Sequence, residues 1–188
     1  MHPIGASVLI LPGIGDSGPG HWQSLWQQSH PHFQRVVQHD WDQPVCGIWT
    51  DVLETAVGHR HGDVLLVAHS LGCLLLAHWA RFTRFTIKGA LLVAVPDPEG
   101  ANFRGAAQGY APVPDTRFGF PSIVIASSND PYASLEFSHK CASAWGSRFV
   151  NIGAAGHINA GSGYGEWREG LTLLHSLTTG TPPTKNEF

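Results

Sequence analysis

Short apolar runs rich in Val, Ile and Leu recur along the chain, separated by longer stretches with helical spacing and by clusters of Gly, Pro, Asp and Asn. The runs read as strands at Ala6–Leu11, Arg35–His39, Val64–Ala68, Gly89–Val95, Ser122–Ser127 and Phe149–Ile152. The intervening segments read as helices at His21–Gln28, Gly47–Gly58, Leu71–Phe82, Tyr132–Trp145 and Trp167–Leu177. Strands that alternate with helices in this way predict βαβ units, hence a mostly parallel sheet of about six strands with helices on both faces. Right-handed crossovers would put every strand's C-terminal end on one edge, where open α/β sheets bind ligands. Residues 1–178 are expected to form a single α/β domain, and the polar, Pro-containing stretch 179–188 a flexible tail.

One segment carries more than fold information. In Asp63-Val-Leu-Leu-Val-Ala-His-Ser-Leu-Gly-Cys-Leu-Leu-Leu-Ala-His-Trp-Ala80, a buried strand meets a buried helix at a corner occupied by Ser70. Small-x-Ser-x-Gly at a strand-to-helix turn is the pattern of a nucleophile elbow. The corner lifts the hydroxyl above the sheet edge, and the helix N-terminus beside it offers free N–H groups and a positive dipole. A Cβ at Gly72 would push the helix away from the sheet. Ala68 stands where the first glycine of the pattern is usual, a departure of one methyl. The competing reading is a serine that only N-caps a core helix.

A serine hydroxyl needs a base, the base needs an orienting acid, and the oxyanion needs donors. The base candidate is His157, in the glycine-flanked Gly153-Ala-Ala-Gly-His-Ile-Asn loop after the last strand. His69, His78, His139 and His175 compete: the first points away from its neighbour Ser70, and the others lie in helices. The acid candidate is Asp130, at the end of the Ser122–Ser127 strand region, whose alternative role is an N-cap. Asp97, after the preceding strand, is the rival acid. Asp130 keeps the chain order Ser, Asp, His. Leu71 N–H and an N–H from the loop after the first strand, by position that of Ile14, are the expected oxyanion donors. Gly13, His21, Trp22 and His69 are expected to line the substrate pocket.

Composition narrows the classes. The 188 residues suffice for a substantial core, 43% are hydrophobic and only 13% charged, so the chain is not of the disordered type. A net charge of −3 without a Lys/Arg block argues against nucleic acid or an anionic membrane as partner. No run approaches the length of a membrane-spanning helix, and the first apolar run lacks a basic leader. Three cysteines without a Cys-x-x-Cys pair fit reduced thiols in the cytoplasm. Twelve histidines are scattered; the His59-x-His61 pair lies in a polar, Gly-flanked loop and reads as solvated loop histidines rather than a metal site, and with no His-Glu-x-x-His or Cys/His cluster no metal is expected. Gly13-x-Gly15-x-x-Gly18 evokes a dinucleotide loop, but no acidic residue follows on a clear second strand and there is no Walker lysine. Pro96–Pro121, rich in proline and glycine, reads as a long ordered loop beside the site rather than a lid domain.

Taken together, Val8-Leu-Ile-Leu-Pro-Gly-Ile-Gly with His21-Trp22, His69-Ser-Leu-Gly-Cys73, Ser127-Ser-Asn-Asp-Pro-Tyr132, and Gly156-His-Ile-Asn-Ala-Gly-Ser-Gly163 with Trp167 resemble the compact, lidless α/β hydrolases of the retinoblastoma-binding-protein-nine and YdeN type. The resemblance spans Val8 to Leu174. It implies a serine hydrolase without cofactor, with Ser70 as nucleophile, Asp130 as acid and His157 as base, acting on small ester or amide substrates. A binding protein that keeps the fold but little turnover is the alternative, with a protein partner that the sequence does not identify. Transfer of the acyl group to a nucleophile other than water would use the same residues.

Overall fold

A computed structural model of the chain describes residues 6–103 and 105–179. Six strands form one sheet: β1 (Ser7–Leu11), β2 (Phe33–Arg35), β3 (Val64–His69), β4 (Gly89–Val93), β5 (Ser122–Ala126) and β6 (Arg148–Asn151). Their order is β2-β1-β3-β4-β5-β6 and every neighbouring pair is parallel. Five α-helices accompany them: α1 (Trp22–Ser29), α2 (Cys46–Gly58), α3 (Leu71–Trp79) and α4 (Leu135–Trp145) between strands, and α5 (Arg168–Thr179) after β6. A 3-10 turn spans Ala160–Ser162.

The pleat explains why the central strands read as continuous apolar runs. Successive side chains on a strand face opposite sides, and here both sides are covered. Leu9, Leu11, Leu66, Ala68, Leu92 and Val124 join a core with Trp49 and Leu53 of α2, Leu74 of α3 and Trp145 of α4. Val8, Ile10, Leu65, Val67, Leu91 and Ile125 join a second core with Trp22 and Trp26 of α1 and Leu173 and Leu174 of α5. Buried on both faces, β3 has no polar position to alternate with until His69.

Two boundaries differ from the sequence reading for identifiable reasons. The second strand lies at Phe33–Arg35, not Arg35–His39. It is an edge strand that pairs only with β1, in the register Val8↔Phe33 to Ile10↔Arg35, and β1 ends at Leu11. Val36 makes one last bond to Ile10 O, and Val37 is then 69% exposed. A β-branched pair alone does not hold a strand once its partner has ended. The fourth helix begins at Leu135 rather than Tyr132, with Ser134 as N-cap accepting from Phe137 N–H at 3.1 Å. Residues 130–133 form a turn instead.

The 96–121 segment is not a free loop. Its start borders the site, through Pro96 and Phe103, while Tyr110 and Phe118 are buried in the α2/α3/α4 core. Phe118 stacks on Trp145 with ring centroids 5.2 Å apart. The tail expected at 179–188 lies outside the described residues, save Thr179, which ends α5. No helix among the described residues is long and apolar enough to cross a membrane.

Candidate active site

All strands being parallel, the segments that follow β1, β3, β5 and β6 emerge at one edge. There Ser70, Asp130 and His157 come together from positions far apart in the chain. Ser70 Oγ lies 2.8 Å from His157 Nε2. His157 Nδ1 lies 2.9 Å from each carboxylate oxygen of Asp130. The Asp130 and His157 side chains are 4% and 9% exposed, so the pair sits where the low dielectric strengthens it. With Nδ1–H donating to the carboxylate, Nε2 of neutral His157 is free to accept from the serine.

The local backbone explains each placement. Ser70 has φ 53° and ψ −126°, a conformation that costs a non-glycine residue about 1–3 kcal/mol. Ser70 N–H donates to Val93 O at 3.0 Å and Cys73 N–H donates to Ser70 O at 2.8 Å, which fix the corner. Its hydroxyl makes no capping bond to α3; it turns to His157 instead. The capping alternative for Ser70 is thereby removed. A β-carbon on Gly72 would sit 2.3 Å from Leu11 O and 2.9 Å from Pro12 O, so this glycine lets α3 start against the end of β1. Ala68 is fully buried between Leu11 and Leu92, and its methyl is accommodated.

Asp130 does not cap a helix. Its Oδ1 accepts from Tyr132 N–H at 2.9 Å, which fixes the carboxylate's direction toward His157. The rival, Asp97, is turned to its own loop: its Oδ1 accepts from Glu99 N–H at 2.9 Å. Of the other histidines, His78 faces Tyr110 O and His139 packs on Phe149, both away from Ser70. His175 lies on α5, bonded to Leu171 O.

The loop bearing His157 turns through left-handed residues Gly153 (φ 81°), Gly156 (φ 60°) and Ile158 (φ 48°). For a β-branched residue such as Ile158 this is an outlier that its surroundings must enforce. They do so with side chains. Ser127 Oγ accepts from Ala155 N–H at 2.9 Å, and Asn129 Oδ1 from Gly156 N–H at 2.7 Å. Trp22 Nε1–H donates to Ile158 O at 2.8 Å, and His69 Nε2 lies 2.9 Å from His157 O.

A cavity of about 180 Å³ opens beside Ser70, lined by Gly13, Ile14, Asp16, His21, His69, Leu71, Pro96, Phe103, Tyr132, His157 and Asn159. Gly13, His21 and His69, expected at a substrate pocket, are among the residues that line it. Trp22 does not line it: the indole is 1% exposed and packs in the core against Trp26 and Trp167. Among the described residues, neither Ile14 N–H nor Leu71 N–H donates to another group of the chain, so both remain available at the cavity wall.

Burial disfavours the charged form of the histidines beside Ser70. His21 is pushed down to about 4, by desolvation first and then by the nearby Arg35 charge. His69 is pushed well below the usual histidine range, again chiefly by burial. His21 Nδ1 accepts from Gln23 N–H at 3.1 Å and caps α1.

Two supports carry no motif and escape a reading of the sequence. Gln23, fully buried, donates to Leu11 O at 3.3 Å and Val67 O at 3.1 Å and accepts from Ser17 Oγ at 2.6 Å, so it ties β1, β3 and the glycine-rich loop together. Arg35 pairs with Asp16 and donates to Ser17 O at 3.0 Å and Ser24 Oγ at 2.7 Å. It clamps that loop from the edge strand. Among the described residues no group of three or more His, Cys, Asp or Glu is placed to hold a metal ion.

A sequence profile of the serine hydrolase family matches residues 8–176. A protein described as a YdeN-like hydrolase from Pectobacterium atrosepticum is 32% identical, with a TM-score of 0.81 over 94% of this chain and 93% of that one. The ydeN gene product of B. subtilis is 21% identical, with a TM-score of 0.71 over 93% of this chain and 99% of that one. The type II thioesterase BorB of the borrelidin biosynthetic cluster shares the fold at 18% identity and a TM-score of 0.64, over 96% of this chain and 93% of that one. No curated protein matches the sequence. With a profile that runs from the second residue of β1 into α5, on a parallel sheet of the α/β-hydrolase type, the chain belongs to the serine hydrolase family.

Proposed function

We propose that the chain hydrolyses small ester or amide substrates through an acyl-enzyme, with Ser70 as nucleophile, His157 as general base and then general acid, and Asp130 as the group that orients His157. The observation that carries this reading is the continuous hydrogen-bonded series from Ser70 Oγ through the two ring nitrogens of His157 to Asp130. In the first step Ser70 Oγ attacks the carbonyl carbon as its proton passes to His157 Nε2. Asp130 stabilises the imidazolium that forms. The tetrahedral oxyanion is held by Ile14 N–H and Leu71 N–H, the latter at the positive end of α3. Collapse expels the alcohol or amine, which takes the proton from His157. Water then repeats the sequence on the acyl-enzyme.

Cavity size and lining support small, uncharged acyl groups. Its volume of about 180 Å³ is below that of pockets for drug-sized ligands, about 300–1,000 Å³. Among the described residues no lysine or arginine lines it, which favours uncharged over anionic acyl chains. The chemistry needs no cofactor or metal. One sheet with a core on each face supports a single-domain reading. Three buried free thiols, Cys46, Cys73 and Cys141, support a reducing, cytoplasmic setting.

The test is covalent labelling with a fluorophosphonate probe and mass mapping of the adduct. An adduct on Ser70 of the wild type that is lost in Ser70→Ala and in His157→Ala is the expected result. A folded wild type that takes no label would overturn the assignment.

A further inference from the structure

We infer that His69 is a positioning residue for the base: its imidazole N–H holds the main-chain carbonyl of His157 and so fixes the distance between base and nucleophile. This rests on the proposed roles of Ser70 and His157.

The bond itself is short, with His69 Nε2 2.9 Å from His157 O. A carbonyl can only accept, so Nε2 must carry the proton. Burial keeps the ring neutral, with His69 5% exposed, so its single N–H is the one on Nε2 that this carbonyl accepts. One end of the bond is on the residue that immediately precedes the nucleophile. The other is on the residue that supplies the base. Ser70 and His69 are adjacent at the end of β3, so the backbone that aims the hydroxyl also carries the tether for its partner. Any slip of the His157 loop relative to the elbow has to stretch this bond.

The loop needs such a tether. It leaves β6 through Gly153 and Gly156 and passes the base at Ile158, all three in the left-handed region. Its remaining anchors lie to either side of the base: Ser127 and Asn129 hold Ala155 and Gly156, and Trp22 holds Ile158. Among the described residues, the main chain of His157 itself is held by His69. The His69 ring also packs against the His157 ring, with centroids 5.0 Å apart, and Tyr132 contacts the same ring at 4.5 Å. The imidazole thus fixes the base by one hydrogen bond and one ring contact, without touching the reacting atoms.

Three forms of the full-length chain separate this role from simple packing. His69→Phe keeps a planar ring and loses the donor. His69→Gln carries an amide N–H at a similar reach. Turnover of 4-nitrophenyl acetate and the second-order rate of fluorophosphonate labelling are measured for each beside the wild type. For His69→Phe, kcat and the labelling rate should both fall by on the order of 10- to 100-fold with KM changed by no more than about twofold, and His69→Gln should recover most of the loss. If His69→Phe does not fold, His69→Met, which has the length of Gln without its donor, takes its place. A donor-less variant with wild-type kcat, a change confined to KM, or a Gln variant as impaired as the donor-less one overturns the inference. Each of those results leaves the Ser70 assignment standing, whereas an unlabelled wild type removes that assignment itself.

Discussion

The β-carbon that Gly13 lacks would lie 2.8 Å from Ser70 Cβ and 3.2 Å from Ser70 Oγ. The glycine-rich loop after β1 therefore packs directly on Ser70, with no room for a methyl between them. That contact also brings Ile14 N–H to the cavity wall. Gly13→Ala should push the loop and the serine apart. A displacement of the oxyanion donors by a fraction of an ångström is enough to lower kcat by on the order of 100-fold. Steady-state kinetics and labelling rates check this, and a variant with unchanged kcat would mean that the loop contributes no donor.

Asp130 and Asp97 offer a paired test. Asp130→Asn should lower kcat by on the order of 10⁴-fold, because an amide no longer stabilises the imidazolium and favours the wrong tautomer. Asp97→Asn should leave kcat near that of the wild type, since the Asp97 carboxylate accepts from Glu99 N–H in its own loop. The reverse pattern of losses would reassign the acid.

Gly72 bears on stability more than on chemistry. Its missing β-carbon would meet two backbone carbonyls, which cannot swing aside as a side chain can. Gly72→Ala should destabilise the fold by about 1–3 kcal/mol or more through overpacking. For a chain of this size each kcal/mol is worth about 2–4 °C in Tm. Thermal unfolding by circular dichroism reads it directly.

Acid should weaken the fold through the buried histidines. An unfolded histidine titrates near 6.5, while folded His21 is pushed down to about 4 and His69 lies well below the usual range. As pH falls below about 6.5 the unfolded chain binds protons that the folded chain refuses, so stability drops on the acid side. The His21 contribution levels off once pH passes its folded value. Tm should therefore decline between pH 7 and pH 4. His21→Asn, which keeps an acceptor for the α1 cap, should make that decline shallower. An equal slope in the variant would mean that His21 does not titrate as described.

Much of this molecule is legible in its residues, because the features concerned are local. The apolar runs at Val64–His69 and Gly89–Val93 are long enough and buried enough to name themselves as strands of a parallel sheet. The elbow is announced by Ser70 between Ala68 and Gly72, since a corner with positive φ beside a close helix tolerates few other residues. The glycines around His157 mark a loop that must turn sharply. Where the sequence reading slipped, at Phe33–Arg35 and at the start of α4, the deciding partner was elsewhere. The edge strand stops because β1 stops, and Tyr132 leaves the helix because its N–H goes to Asp130.

Sequence by itself determined the fold class, the elbow at Ser70 and the candidates His157, Asp130 and Asp97, because periodicity and steric demand at single positions are written locally. Tertiary structure alone decided which acid meets His157, that Trp22 and His69 hold the base loop by its carbonyls, and that Gln23 and Arg35 lock the loop over Ser70. Those bonds join residues tens of positions apart through side chains that any polar sequence could carry. Their partners are set by how the strands and helices pack, not by spacing along the chain.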